Sequence, residues 1–314
     1  MKISIIIRTY KRPELLKQAL ASITLQSYKN WEVIIFDDGG GHKDVLDIIQ
    51  NFRDKNQTNT TLYLNSNTPR YFFTKSWEIA PQITQGEVMV RLDDDDLLTE
   101  NSLESIAKIY TQHPQLDFSY GSCIIFKEDK LVEKVLTQTP LEIPKTKTIW
   151  AGYLEGHPWR EPWKWVNDYY DEPQHYTSII HASKAAILCA YGTYVIRTSS
   201  YLSILNRFEV NSRVDDLEAM GSLDYLGLKH TSIKLTLSYV RSHNLGRETD
   251  DNSIMREELE KTRDKVEFLR PEDFTSNIYL ENIEGNKQNK ELDEDDRLNF
   301  KEYFDKIKLI SKQL

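Results

Sequence analysis

Cysteine is nearly missing from this chain: there are two in 314 residues, Cys123 and Cys189, both in apolar surroundings. That excludes a disulfide scaffold or a cysteine metal cluster, and makes a reducing cytoplasm the expected setting. Long hydrophobic runs are missing too, since no stretch approaches the roughly 18–20 apolar residues that a membrane span needs. The first residues lead directly into an apolar strand pattern, so no signal peptide is expected. Neither a GxGxxG turn nor a GxxxxGK[ST] loop follows that strand, which excludes a dinucleotide fold and a P-loop NTPase. Positive charge is not in excess, and the formal net charge of −9 speaks against general nucleic-acid binding. No internal repeat is present. What the chain does have is enough apolar sequence, 39%, to fill one large domain or two small ones.

The most informative segment is Glu87-Val-Met-Val-Arg-Leu92 followed by four aspartates, Asp93 to Asp96, and Leu97-Leu98. Val88, Val90 and Leu92 alternate as on a strand, which puts the carboxylates at its C-terminal end, where open α/β sheets bind ligands. Adjacent like charges repel, and a hard divalent cation would relieve them through oxygen ligands. An acidic turn capping the helix after Thr99 is the plainer alternative. Upstream, Ile3 to Ile7 reads as a buried strand. It leads into Arg8-Thr-Tyr-Lys-Arg-Pro13 and a helix with Leu15, Leu16, Ala19, Leu20 and Ile23 on one face. A second strand, Trp31 to Phe36, ends in Asp37-Asp38-Gly39-Gly40. Strand, helix and strand with carboxylates at the exit is the start of a nucleotide-binding βαβ unit. A helix over 44–53, a strand over 60–64 and a helix over 75–85, kinked or broken at Pro81, follow. After the acidic strand come a helix over 101–112 and strands over 116–126 and 131–137.

The series IIIRTYKRP, WEVIIFDDGG and GEVMVRLDDDDLL resembles the N-terminal half of the family 2 glycosyltransferases. Arg8 stands where that pattern often has proline, Lys11 replaces Asn and Gly40 replaces Ser. The resemblance covers residues 1–126, thins towards residue 247 and is absent beyond. It implies an α/β fold of the GT-A type, a three-layer Rossmann-like sandwich over 1–249, divided into a nucleotide-binding half (1–126) and an acceptor and base half (127–249). A charged, helical C-terminal extension would occupy 250–314. It also implies a nucleotide-sugar donor, UDP-linked by preference, and Mn²⁺ or Mg²⁺. Asp93 and Asp95 match the DxD motif, with Asp95 on the metal and Asp93 reaching it through water or holding the ribose; Asp94 and Asp96 would support them. Asp38 matches the carboxylate that accepts the uracil N3–H, with Thr9 and Tyr10 in the loop around the base. A helix-capping turn is the alternative for Asp37 and Asp38. Lys75, like Arg70 before the acidic strand, stands where the family places a cation near the diphosphate, though a surface lysine is the more common explanation.

In the second half, Arg213-Val-Asp-Asp-Leu217 resembles the helix start that carries the family's base. Asp216 would be that base in an inverting displacement and Asp215 would replace the usual Glu; plain N-capping accounts for one of the two. Tyr239-Val-Arg-Ser-His243 resembles the segment that closes many such cores, with His243 as a further metal ligand or diphosphate contact, or simply a polar residue. Gly192 would let backbone approach the donor sugar, or would serve only a turn. Four of the six tryptophans lie between Trp150 and Trp165, as an acceptor loop or a small aromatic core. The acceptor is expected to be a glycan or glycolipid hydroxyl. The final stripe, Phe300, Tyr303, Phe304, Ile307, Ile310 and Leu314, is expected to pack on the domain or on a second copy; a peripheral contact with a membrane is the alternative. Two other classes remain open: a sugar nucleotidyltransferase, and an inactive carbohydrate-binding relative.

Overall fold

A computed structural model describes residues 1–39, 41–57, 60–65, 71–135, 193–204, 230–242, 292 and 294–314. Asp215, Asp216, Gly192, His243, Arg70, Cys189 and the tryptophan-rich segment lie outside the described residues.

Continuous apolar sequence produces the central strands. β1 (Ile3–Thr9) is buried along its whole length and lies between β2 (Trp31–Asp37) and β4 (Val88–Asp93), parallel to both. β3 (Thr60–Leu64) adds in parallel on the outer side of β2. Beyond β4 the sheet becomes mixed. β8 (Tyr194–Arg197) runs antiparallel to β4 and to β6 (Phe118–Lys127). β6 pairs in parallel with β9 (His230–Arg241) and antiparallel with β7 (Lys130–Val135). The two-residue β5 (Leu97–Leu98) closes the order β3-β2-β1-β4-β8-β6-β9-β5 by pairing with β9. Parallel strands covered on both faces need apolar residues at every position, and β1 and β2 supply them.

Successive side chains on a strand point to opposite faces. Ile3, Ile5, Ile7, Val33, Ile35, Val88 and Val90 share one core with α1 (Pro13–Thr24), α2 (Lys43–Asn56) and α4 (Ser102–Gln112). Ile6, Ile34 and Met89 are buried outside that cluster, on the face against which α3 (Tyr71–Ile83) packs together with α5 (Thr198–Ile204). The result is three layers. Pro13 starts α1 where its missing N–H costs nothing, and His113-Pro114 follows the end of α4. Pro81 does not break α3: the helix runs through it to Ile83, without the bond from residue 81 to the Trp77 carbonyl.

The last helix, α6 (Glu294–Ser311), lays Phe300, Tyr303, Phe304 and Ile307 into the same core as α1. Phe300 stacks on Phe304 at 5.4 Å and meets Phe126 at 5.2 Å and Tyr239 at 4.8 Å. The Tyr303 hydroxyl donates to the Leu98 carbonyl at 2.6 Å, and the Asn51 amide donates to the Leu314 carbonyl at 2.9 Å. Phe300, Tyr303, Phe304, Ile307 and Leu314 of the apolar stripe are therefore buried by the chain itself. Truncating a fully buried phenylalanine costs about 3–5 kcal/mol, so Phe300→Ala should lower the unfolding free energy measured in urea by that amount and move the midpoint down accordingly. A midpoint equal to wild type would contradict the docking of α6 on the sheet domain.

Candidate active site

The parallel register sets three loops at one level. Arg8 on β1 is opposite Asp93 on β4, and Thr9 is opposite Asp37 on β2. The exits of all three strands therefore form one edge, and every acidic residue predicted from the first half of the sequence lies on it.

Asp37 and Asp38 have different surroundings. Asp37 is fully buried and accepts the Gly39 N–H at 2.7 Å and the Gly41 N–H at 3.0 Å, so it builds the turn. A Cβ on Gly39 would sit 2.8 Å from Asp37 Oδ1 and 3.3 Å from the Lys11 nitrogen, so the close approach of the β1 and β2 loops requires glycine there. The Asp38 N–H donates to the Thr9 carbonyl at 3.0 Å, and Asp38 Oδ1 accepts the Asn65 side-chain amide at 2.9 Å. Tyr10 is half-buried beside Lys11, whose Nζ lies 5.2 Å from the ring centre. Lys11 has a left-handed backbone, φ +54°, a conformation that asparagine tolerates better than lysine.

The four aspartates divide by direction. Asp94 is turned inward and buried, accepting from Thr9 Oγ1 at 2.7 Å and from Arg12 Nη1 at 3.3 Å. Arg12 also donates to Asp95 Oδ2. Arg91 donates to both oxygens of Asp93, at 3.2 and 2.8 Å, and Arg8 lies 3.8 Å from the same carboxylate. Asp93, Asp95 and Asp96 each present an oxygen within 4.8 Å of the other two. These are hard donors at the spacing one small cation could share, and they fit Mg²⁺ or Mn²⁺. Asp96, for which a supporting role is expected from the sequence, lies in this group.

The repulsion expected within the acidic run is partly relieved by this chain's own arginines. Burial alone would lower the pKa of Arg12, but the charges of Asp94 and Asp95 outweigh it and the pKa is raised. Asp96 is pushed well above the usual carboxylate range, first by burial and then by Asp95 and Asp93, against the opposing Arg241 N–H and Arg91 charge. Arg8, Arg12, Arg91 and Asn65 were not assigned here from sequence. The two arginines of the β1 loop were visible beside Thr9 and Tyr10, but nothing local showed that they face Asp93 to Asp95. Lys75 pairs with Glu78 on its own helix at 2.6 Å, and among the described contacts none brings it to the aspartates.

The edge defines a class: a GT-A-type α/β fold with an acidic strand end beside a nucleotide-type loop. S. aureus TarS has this fold, with a TM-score of 0.52 at 16% identity over 77% of this chain and 37% of TarS. A TarS fragment solved with UDP-GlcNAc gives 0.50 at 17% identity over 80% of this chain and 61% of that chain. The model for glycosyl transferase family 2 matches residues 4–159, and that part of the chain belongs to the family. Over 138 residues the chain is 28% identical to the Campylobacter jejuni GalNAc(5)-diNAcBac-PP-undecaprenol beta-1,3-glucosyltransferase, covering 41% of this chain and 40% of the relative. It is 23% identical over 147 residues to an Escherichia coli UDP-Glc:alpha-D-GlcNAc-diphosphoundecaprenol beta-1,3-glucosyltransferase, covering 47% and 54%. The matches to these two relatives span about half of their length or less.

The raised Asp96 pKa has a consequence for stability. The folded chain holds that proton more tightly than the unfolded chain, so its contribution is full below the unfolded pKa and is lost as pH rises through the folded one. With metal chelated, Asp96→Asn should raise the melting temperature at pH about 8 and leave it unchanged at pH about 3.5, where the wild-type carboxyl is already protonated. A stabilisation of equal size at both pH values would contradict the assignment.

Proposed function

We propose that this chain is a metal-dependent, inverting glycosyltransferase that moves a sugar from a nucleotide diphosphate, preferably UDP, to an acceptor hydroxyl. The observation that carries this reading is the convergence of Asp93, Asp95 and Asp96 on the edge that also holds Thr9, Tyr10 and Asp38. Base, ribose and diphosphate need adjacent binding sites, and neighbouring strand exits at one level support that arrangement. Asp38 accepts the uracil N3–H, an interaction that cytosine, which has an acceptor at that position, does not offer. Tyr10 provides an aromatic face for the base. When bound, Mg²⁺ or Mn²⁺ held by Asp93, Asp95 and Asp96 supplies positive charge to the departing diphosphate. His243 is a further proposed ligand, and Lys75 and Gly192 proposed donor contacts, on sequence resemblance alone.

Arg8, Arg12 and Arg91 influence how the site is filled. Their charge opposes entry of a bare divalent ion, whereas a diphosphate brings compensating negative charge. Metal and nucleotide therefore bind with positive coupling, and the coupling is the same in both directions. In the chemical step Asp216 takes the proton of the acceptor hydroxyl as its oxygen attacks the anomeric carbon from the side opposite the diphosphate; Asp215 is the neighbouring carboxylate. Single displacement of this kind inverts the anomeric configuration.

Two relatives act on diphosphoundecaprenol-linked glycans by name, which supports a lipid-linked acceptor sugar reached by peripheral contact with the cytoplasmic face of a membrane. Among the described residues no helix is long and apolar enough to cross a membrane. Nucleic acid is not a proposed partner.

The direct test incubates the protein with a panel of nucleotide sugars and Mn²⁺ and measures nucleotide release and sugar transfer. UDP-sugars should be turned over, and Asp95→Ala should abolish turnover while the melting temperature stays near wild type. Asp216→Asn should lower the rate by about 10²–10⁴-fold with donor affinity little changed, the usual contribution of a general base. Turnover unaffected by chelation and by Asp95→Ala would overturn the metal reading, and a retained anomeric configuration would overturn the single displacement.

A further inference from the structure

Arg241 ends β9 and touches two residues of the acidic turn. Its N–H donates to Asp96 Oδ1 at 2.9 Å, and its Nε donates to the Asp95 carbonyl at 3.0 Å. Its Nη2 donates to Gln18 Oε1 on α1 at 2.7 Å. The guanidinium lies over the Phe126 ring at 4.4 Å and near the Phe304 ring of α6 at 5.8 Å. Phe304 is held in turn by Phe126 at 5.6 Å and by Phe300. A planar fork with fixed donors can hold a carbonyl and an amide at once, and an aromatic face steadies it; a lysine ammonium has neither property.

We infer that Arg241 is a positioning residue for the metal turn, and that α6 belongs to the active site through it. The guanidinium fixes the Asp95 peptide and the Arg241 N–H fixes the Asp96 carboxylate, so that their oxygens meet that of Asp93. The Phe304 and Phe126 rings fix the guanidinium. A helix some two hundred residues further along the chain thus sets the geometry of the aspartates without touching the substrate. The inference rests on the proposed metal site.

The sign of the effect separates positioning from charge. Arg241 is a cation beside a cation site, so a purely electrostatic role predicts tighter metal binding once the charge is removed. Positioning predicts the reverse, because outer partners of metal ligands typically contribute about 10–100-fold in affinity. The experiment titrates Mn²⁺ in the presence of UDP, by electron paramagnetic resonance of the free ion, into wild type, Arg241→Gln, Arg241→Lys and Phe304→Leu. Hydrogen exchange of the peptide covering 91–98 is measured on the same metal-free samples. All three variants should bind Mn²⁺ more weakly, by about tenfold for the two Arg241 changes and less for Phe304→Leu. Exchange in the acidic turn should rise in each.

Tighter binding in Arg241→Gln, or wild-type affinity in Arg241→Lys, would overturn the positioning role. A Phe304→Leu protein with lowered melting temperature but unchanged affinity and exchange would remove α6 from it. If wild type binds no Mn²⁺, the metal reading fails by itself. Exchange then still decides the clamp: faster exchange of 91–98 in the variants sustains it and unchanged exchange overturns it.

Discussion

The site depends on one interaction above all, the bridge from Arg12 to Asp94 and Asp95. It joins the loop after β1 to the turn after β4, two segments that the parallel register only brings to the same level. Thr9 adds a second bond to Asp94, so the buried carboxylate is held from both ends of one short loop. Losing Arg12 would take its positive charge away from the buried Asp94, whose neighbours along the chain are carboxylates. Asp94 is therefore best understood as the residue that orients its neighbours. With its side chain turned inward, Asp93, Asp95 and Asp96 have their oxygens brought together.

The same arrangement answers how four adjacent carboxylates persist in a folded chain. Arg8 and Arg91 meet Asp93, Arg12 meets Asp94 and Asp95, and the Arg241 N–H meets Asp96. The cluster is compensated on its inner side. Compensation from inside both preserves the fold without a ligand and weakens attraction for a lone cation, which is why metal and diphosphate are proposed to enter as a pair. The C-terminal helix then takes on a second role, because the aromatic group that seals the core also supports Arg241.

Much of the fold was legible because its strands are buried on both faces. Ile3 to Ile7 and Trp31 to Phe36 are unbroken apolar runs, and Pro13 and His113-Pro114 mark helix ends by chemistry that acts locally. β5 was not legible: two leucines become a strand only because β9, far along the chain, pairs with them. In the site, the position of the acidic run followed from strand alternation alone. Its division of labour did not, since whether Asp94 or Asp96 points inward is decided by Thr9, Arg12 and Arg241 on other elements. Asn65 on Asp38 was hidden for the same reason.

The central claim is that Asp93, Asp95 and Asp96 jointly hold a divalent ion beside a nucleotide diphosphate. Diffraction at the manganese absorption edge, from crystals grown with Mn²⁺ and UDP, tests it most directly. One anomalous peak is expected between these three carboxylates and the diphosphate oxygens, with the uracil on the side of Asp38. A peak elsewhere, or a UDP molecule bound at this edge with no anomalous signal beside it, would contradict it.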